Sequence, residues 1–206
     1  MEIKRFIFGP FLTNTYVVHD EQGHILLIDP ACSNAYEEQV LHEYIGDLRL
    51  ENGDCRLQIV ATHGHLDHLW GAAWATKQYG QPVMMAEADH EMATCMQGQY
   101  DLFGIQRKAE AFPIGNVKLE FDDWKWEVIP TPGHTPGSMS LYLPEEQILF
   151  SGDTLFRNGC GRTDLPGGNS YQLIESLRRL MTLPADTQVY PGHGEATTIG
   201  EEMDRI

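Results

Sequence analysis

The chain has 206 residues, 42% of them hydrophobic, enough for a sizeable core in one large domain or two small ones. Its formal net charge of -16 is spread without blocks of like charge, which argues against a nucleic-acid partner, since phosphate binding needs a basic surface. The N-terminal MEIKRFIFGPF lacks the apolar run of a signal peptide, and no window approaches the roughly 20 apolar residues of a membrane span, so a soluble, cytoplasmic protein with no membrane partner is expected.

In chain order, the apolar, β-branched runs at residues 3–8, 16–19, 25–28 and 57–61 predict strands, with EQGH as the turn between the second and third. Asn34, with Glu37 three residues on, resembles a capping box, and Val40, Leu41, Tyr44, Ile45 and Leu48 follow at helical spacing; a helix is predicted over about residues 34–48. A second helix is predicted from near His68 through GAAWATKQY, and a weaker helical signal covers about residues 87–97. Residues 96–111 show little periodicity and read as a mobile loop or short helix.

Further strands are predicted at residues 117–121, 125–129, 139–143 and 148–151, then a helix with Asn169 and Gln172 at its cap and Leu173, Ile174, Leu177, Leu180 and Met181 on one face. Two strand-rich halves, each followed by helices, predict two sheets packed face to face with helices outside. Cys32, Cys55, Cys95 and Cys160 lie far apart with no CxxC pair, so free thiols are expected.

The stretch THGHLDHLWG, residues 62–71, carries the densest chemistry. An apolar strand runs straight into it, so His63 and His65 sit where alternate side chains point the same way. Asp67 and His68 then fall at the start of the next helix, where they can face the same cavity from another direction. One loop could thus offer ligands to two adjacent metals. Imidazole nitrogen and carboxylate oxygen suit zinc, iron or manganese, and the lack of a nearby cysteine argues against a purely structural zinc site.

Three more places share this character, each at the end of an apolar run: His134 in VIPTPGHTPGS, Asp153 in ILFSGDTLF and His193 in TQVYPGHGE. Taken together they give seven candidate ligands at strand ends. By contrast, Trp70, Trp74, Trp124 and Trp126 read as packing residues. His19, His24, His42 and His90 read as exposed or locally hydrogen-bonded, and Cys160, without an evident base partner, reads as packing.

THGHLDH with His134, Asp153 and His193 in this order resembles the metallo-β-lactamase fold superfamily over nearly the whole chain. The resemblance implies an α/β fold, an αββα sandwich of two mixed β-sheets flanked by helices, as a single domain over residues 1–206. The segment SGDTLFRNGCGRTDLPGG is similar to the loop shared by glyoxalase II (hydroxyacylglutathione hydrolase), its short bacterial relatives and the persulfide dioxygenases. Carried over residue by residue, it implies one metal on His63, His65 and His134, a second on Asp67, His68 and His193, and Asp153 bridging them. True β-lactamases place another residue where Asp153 stands, and the oxygen-reducing diiron branch has a glutamate at the position of His65, so both branches are disfavoured.

The implied cofactors are two divalent metal ions, zinc first, with iron or manganese compatible with the same donors. Two such ions lower the pKa of a shared water and polarise a carbonyl, which suits thioester hydrolysis by attack of a metal-bound hydroxide, with Asp67 holding a metal and orienting the nucleophile. The implied partner is a small-molecule thioester such as S-lactoylglutathione. Longer glyoxalase II enzymes hold glutathione with a C-terminal helical domain, whereas this chain runs thirteen residues past His193, so the short single-domain form is expected. Arg162 stands where the longer enzymes have a substrate-contacting lysine, with Asp164 in place of their tyrosine. It is the candidate substrate-binding residue through a carboxylate pair, or a brace for its own loop.

An iron-dependent persulfide dioxygenase, with one iron on His63, His134 and Asp153, is the alternative enzyme. A non-catalytic binding module is the third reading, disfavoured because buried carboxylates and imidazoles are costly unless a metal satisfies them.

Overall fold

The first apolar runs form an antiparallel meander in which β1 (Glu2–Phe8) pairs with β2 (Thr13–His19) and β2 with β3 (His24–Ile28). The computed structural model describes residues 1–52, 55–121, 124–203 and 205. Cα packing divides it into two units, the first made of Met1–Ala61, His65–Met85 and His90–Val117, the second of Thr62–Gly64, Ala86–Asp89 and Lys118–Ile206.

In the first unit the meander continues into α1 (Ala35–Asn52), β4 (Arg56–Val60), α2 (Ala72–Tyr79), β5 (Val83–Met85), α3 (His90–Thr94), α4 (Met96–Leu102) and β6 (Ile114–Asn116). Its sheet is ordered β1-β2-β3-β4-β5-β6, and every pairing from β3 to β6 is parallel. Helical crossovers between parallel strands explain why β3 is apolar at nearly every position. Ile25, Leu27 and Ile59 pack with Leu41, Ile45 and Leu48 of α1 in one apolar cluster.

Asn34 caps α1 as its spacing predicted, accepting from the backbone N–H groups of Tyr36 and Glu37 at 3.1 Å each. The capping box is modified: the Glu37 carboxylate accepts from Ser33 N–H at 2.7 Å and reaches across to Gly9 N–H at 3.1 Å. Residue 37 therefore ties the helix start to the β1–β2 turn.

Two predicted elements differ, and a third, residues 96–111, takes the short-helix form of its expectation. The helix expected from near His68 starts at Ala72, because residues 66–68 form tight turns, with His68 N–H on the His65 carbonyl at 3.2 Å. Gly71 marks the start, its N–H on the Pro30 carbonyl at 2.8 Å; a Cβ there would lie 3.0 Å from the backbone and side chain of Cys32. The strand expected at 117–121 is absent and its place is taken by β6, three residues earlier. Residues 117–120 still alternate between half-buried and exposed, so the pattern reported extended backbone without the pairing that makes a strand. Residues 96–111 begin as α4, and the segment beyond is fastened by Gln97, which donates to the Arg107 carbonyl and accepts from Ala109 N–H, and by Arg107, which donates to the Ser33 carbonyl.

The second unit contains β7 (Glu127–Pro130), β8 (Met139–Leu143), β9 (Ile148–Gly152), β10 (Leu155–Phe156), β11 (Gly159–Cys160), α5 (Ser170–Leu180), β12 (Gln188–Pro191), β13 (Thr197–Thr198) and α6 (Ile199–Met203). Its larger sheet is ordered β13-β12-β9-β8-β7, with β9 and β12 parallel, and β10-β11 forms a small hairpin. Asn169 caps α5 by accepting from Gln172 N–H at 3.1 Å. Leu173, Leu177 and Leu180 are buried, while Ile174, expected on the same face, is 46% exposed because it lies one residue off that stripe. No helix among the described residues is long and apolar enough to cross a membrane.

Candidate metal centre

Within the second unit, three glycine-containing strand exits place ligand side chains. His134 follows β7 in the loop 131–134, which is clamped onto α5. Asn169 N–H donates to the Gly133 carbonyl at 2.7 Å and Ser176 Oγ to the Pro132 carbonyl at 2.7 Å. A Cβ on Gly133 would lie 2.2 Å from Leu173 N, so helix and loop approach as closely as backbone permits. Asp153 follows β9 and His193 follows β12, whose exits are joined by Gly192 N–H on the Gly152 carbonyl at 2.9 Å.

The distances converge on one carboxylate. Asp153 Oδ2 lies 3.5 Å from His134 Nε2 and 3.5 Å from His193 Nε2. The rings of His63 and His134 meet edge-on with centroids 4.8 Å apart. His134 Nδ1 faces the Arg162 carbonyl oxygen at 2.7 Å. A carbonyl only accepts, so Nδ1 carries the proton and, in the neutral ring, Nε2 offers its lone pair.

Within the first unit the same logic fixes His68. Its Nδ1 donates to Asp29 Oδ2 at 2.8 Å in a fully buried pair, leaving Nε2 3.5 Å from Asp67 Oδ2. Thr13 Oγ1 donates to the same Asp67 oxygen at 2.9 Å, and Leu66 N–H donates to Gln99 Oε1 at 2.9 Å. Asp29 holds a left-handed backbone (φ 53°), secured by its N–H on the Val60 carbonyl and by Thr15 Oγ1 on its own carbonyl at 2.6 Å.

Of the seven residues singled out from sequence, His63, His134, Asp153 and His193 belong to the second unit and His65, Asp67 and His68 to the first. Five imidazoles and two carboxylates, at least two of the rings held by outer partners in the metal-binding tautomer, fit divalent cations. Gathering so many buried acceptors without a cation would be costly.

Arg162 is exposed and makes a bidentate pair with Asp164 of its own loop, Nε to Oδ1 at 2.6 Å and Nη2 to Oδ2 at 2.7 Å. The Arg162 hydrogen bonds hold the Asp164 carboxyl down to about 2, and the same bonds push the guanidinium pKa up. The backbone of residue 162, rather than its side chain, is what touches a candidate ligand. Trp70 and Trp124 are buried, Trp70 against Phe11 and Tyr100 and Trp124 against Phe121 and Trp126. His19 bonds Tyr44 Oη and His24 bonds Asp20, each at 2.9 Å. Burial pushes the Cys32 thiol pKa well up, whereas Cys95 and Cys160 are exposed.

Sequence reading missed the outer partners. Asp29 had a usable signal, since it ends the apolar run HILLI as Asp153 ends ILFSG. Thr13 and Gln99 had none.

This fold and site define a metallo-hydrolase class. The sequence profile of the Metallo-beta-lactamase superfamily matches residues 8–193, and the chain belongs to that superfamily, with its α/β fold of mixed sheets and helices. It is 33% identical to the probable metallo-hydrolase YqgX of Bacillus subtilis, over 100% of this chain and 96% of that protein. It is 32% identical to the hydroxyacylglutathione hydrolase GloC of Haemophilus influenzae, over 98% and 95%. Among solved structures it is similar to the B3 metallo-β-lactamase BLEG-1 (29% identity, TM-score 0.86, 98% of this chain and 97% of that one) and to TTHA1623 in a di-iron-bound form (32%, 0.82, 98% and 98%). It is also similar to ETHE1 from Myxococcus xanthus (28%, 0.75, 100% and 83%). The His/Asp donor set and the superfamily together imply a metal-dependent enzyme that uses divalent metals; the similar structure of TTHA1623 is of a di-iron-bound form.

Proposed function

We propose that the chain is a glyoxalase II-like thioesterase with two metals, cleaving a small-molecule thioester such as S-lactoylglutathione to a hydroxy acid and a thiol. The observation that carries this reading is that ligand-type side chains cluster in both units, Asp67 beside His68 in the first and Asp153 beside His134 and His193 in the second. The similarity to GloC, covering nearly all of both chains, supports the choice of substrate class.

In this reading His63, His65 and His134 would hold one metal and Asp67, His68 and His193 the other, with Asp153 as a further carboxylate ligand. When bound, two such metals activate water near neutral pH and polarise the thioester carbonyl. The chain's own residues supply orientation. Asp29 and the Arg162 carbonyl fix the tautomers of His68 and His134, and Thr13 holds one Asp67 oxygen by donation. In this reading Asp67 would orient the water and accept its proton, and the thiolate is a good enough leaving group to need no strong general acid.

A second reading, an iron-dependent persulfide dioxygenase, draws on the SGDTLF to GCGRTD segment and on the similarity to ETHE1. It needs only His63, His134 and Asp153 and gives no role to the second group. The two are separated by assaying S-lactoylglutathione cleavage without oxygen, and oxygen uptake with glutathione persulfide. Anaerobic thioester turnover is expected; its absence together with oxygen uptake would establish the second reading.

A further inference from the structure

We propose that Asp89 is a positioning residue for the group formed by His63 and His134. The inference deepens the reading above, resting on that group binding a metal and not on the thioester. Asp89 ends a 3-10 turn (Glu87–Asp89), and its side chain is fully buried within the second unit. Its Oδ2 accepts from Gly64 N–H at 2.8 Å and from Thr135 Oγ1 at 2.6 Å, and its Oδ1 accepts from Gly137 N–H at 2.6 Å.

Those partners are the joints of the site. Gly64 is the residue between His63 and His65, and Thr135 directly follows His134. One carboxylate therefore fastens two separate loops that must present imidazoles to the same point, with the His63 and His134 rings already in edge contact. The fastening is directional. Thr135 Oγ1 donates to Asp89, so it accepts from Ser138 Oγ at 2.7 Å, while Ser138 Oγ accepts from Thr135 N–H at 3.0 Å. Every partner of the carboxylate is a donor, and the amide of asparagine would turn its NH2 against at least one of them. Space is equally restrictive: a Cβ on residue 137 would lie 2.6 Å from Asp89 Cγ, so glycine is required for the carboxylate to sit there.

A tilt of either loop changes the angle between the ligand nitrogens, and metal affinity depends on how outer partners hold that geometry. The test is zinc affinity of the full-length protein by competition with a chromophoric chelator, for wild type, Asp89→Asn and Thr135→Val, with circular dichroism confirming that each is folded. In Asp89→Asn one zinc-binding step is expected to weaken by about 10- to 100-fold, the usual cost of removing an outer-sphere partner, and Thr135→Val should show a smaller loss in the same step. A purely structural role predicts a lower melting temperature of the zinc-free protein with wild-type affinity in both folded variants, and that result overturns the proposal. Should Asp89→Asn fail to fold, Thr135→Val decides alone. Because zinc is the only probe, weakened binding beside a wild type that cleaves no thioester would sink the substrate reading and leave this inference standing.

Discussion

His134 Nδ1 and the carbonyl oxygen of Arg162 are 2.7 Å apart, so the backbone of the GCGRTD loop sets the ring that faces Asp153. The Arg162 side chain takes no part in that bond. Arg162→Ala is therefore expected to keep its full metal content, and if the guanidinium leaves Asp164 to meet a substrate carboxylate, KM rises more than kcat falls. Steady-state kinetics with elemental analysis check both; an unchanged KM would assign Arg162 to the loop alone.

The Arg162–Asp164 pair also fixes a pH dependence. Asp164 is depressed to about 2, so the stabilisation it brings is present above the usual carboxylate range and is lost as pH falls toward that value. Both groups are exposed, so salt screens the pair. A carboxyl NMR titration should show the Asp164 midpoint near 2 at low salt and an upward move in high salt or in Arg162→Ala. A midpoint in the ordinary range at low salt would mean the pair does not persist in solution.

Asp29 acts on the second ligand group through His68. Asparagine tolerates the left-handed backbone at residue 29, so Asp29→Asn should keep the turn while weakening the charged hold on His68 Nδ1. A metal-affinity loss of about 10- to 100-fold is expected, read by chelator competition. Wild-type affinity would show that the ring keeps its orientation without the carboxylate.

Gly133 has φ 136° and no room for a Cβ against Leu173 N, so Gly133→Ala must part the His134 loop from α5. Destabilisation of about 1–3 kcal/mol or more is expected by chemical denaturation, with a fall in bound metal. Unchanged stability would mean the loop relocates freely.

Much of this was legible in sequence for a physical reason. The seven candidate ligands stand at or just past the ends of apolar runs, where a strand stops and polar side chains follow. Cap residues were equally plain, as Asn34 and Asn169 show. The N-terminus of α2 was misread because ligand spacing in LDHL imitates a helical turn, and the stretch 117–121 because alternation registers exposure and not hydrogen-bond partners. Asp89 was illegible: in EADHEM it looks like any acidic residue of a surface turn, and only the fold reveals that three donors from other loops surround it.

In the proposed function the imidazoles and carboxylates serve a two-metal hydrolytic centre. The most direct measurement is stepwise return of zinc, and separately of ferrous iron, to the metal-free protein without oxygen, following S-lactoylglutathione cleavage at each addition. Activity that climbs to a plateau at about two equivalents per chain is the predicted result. A plateau at about one equivalent, or no cleavage at any loading, would contradict it.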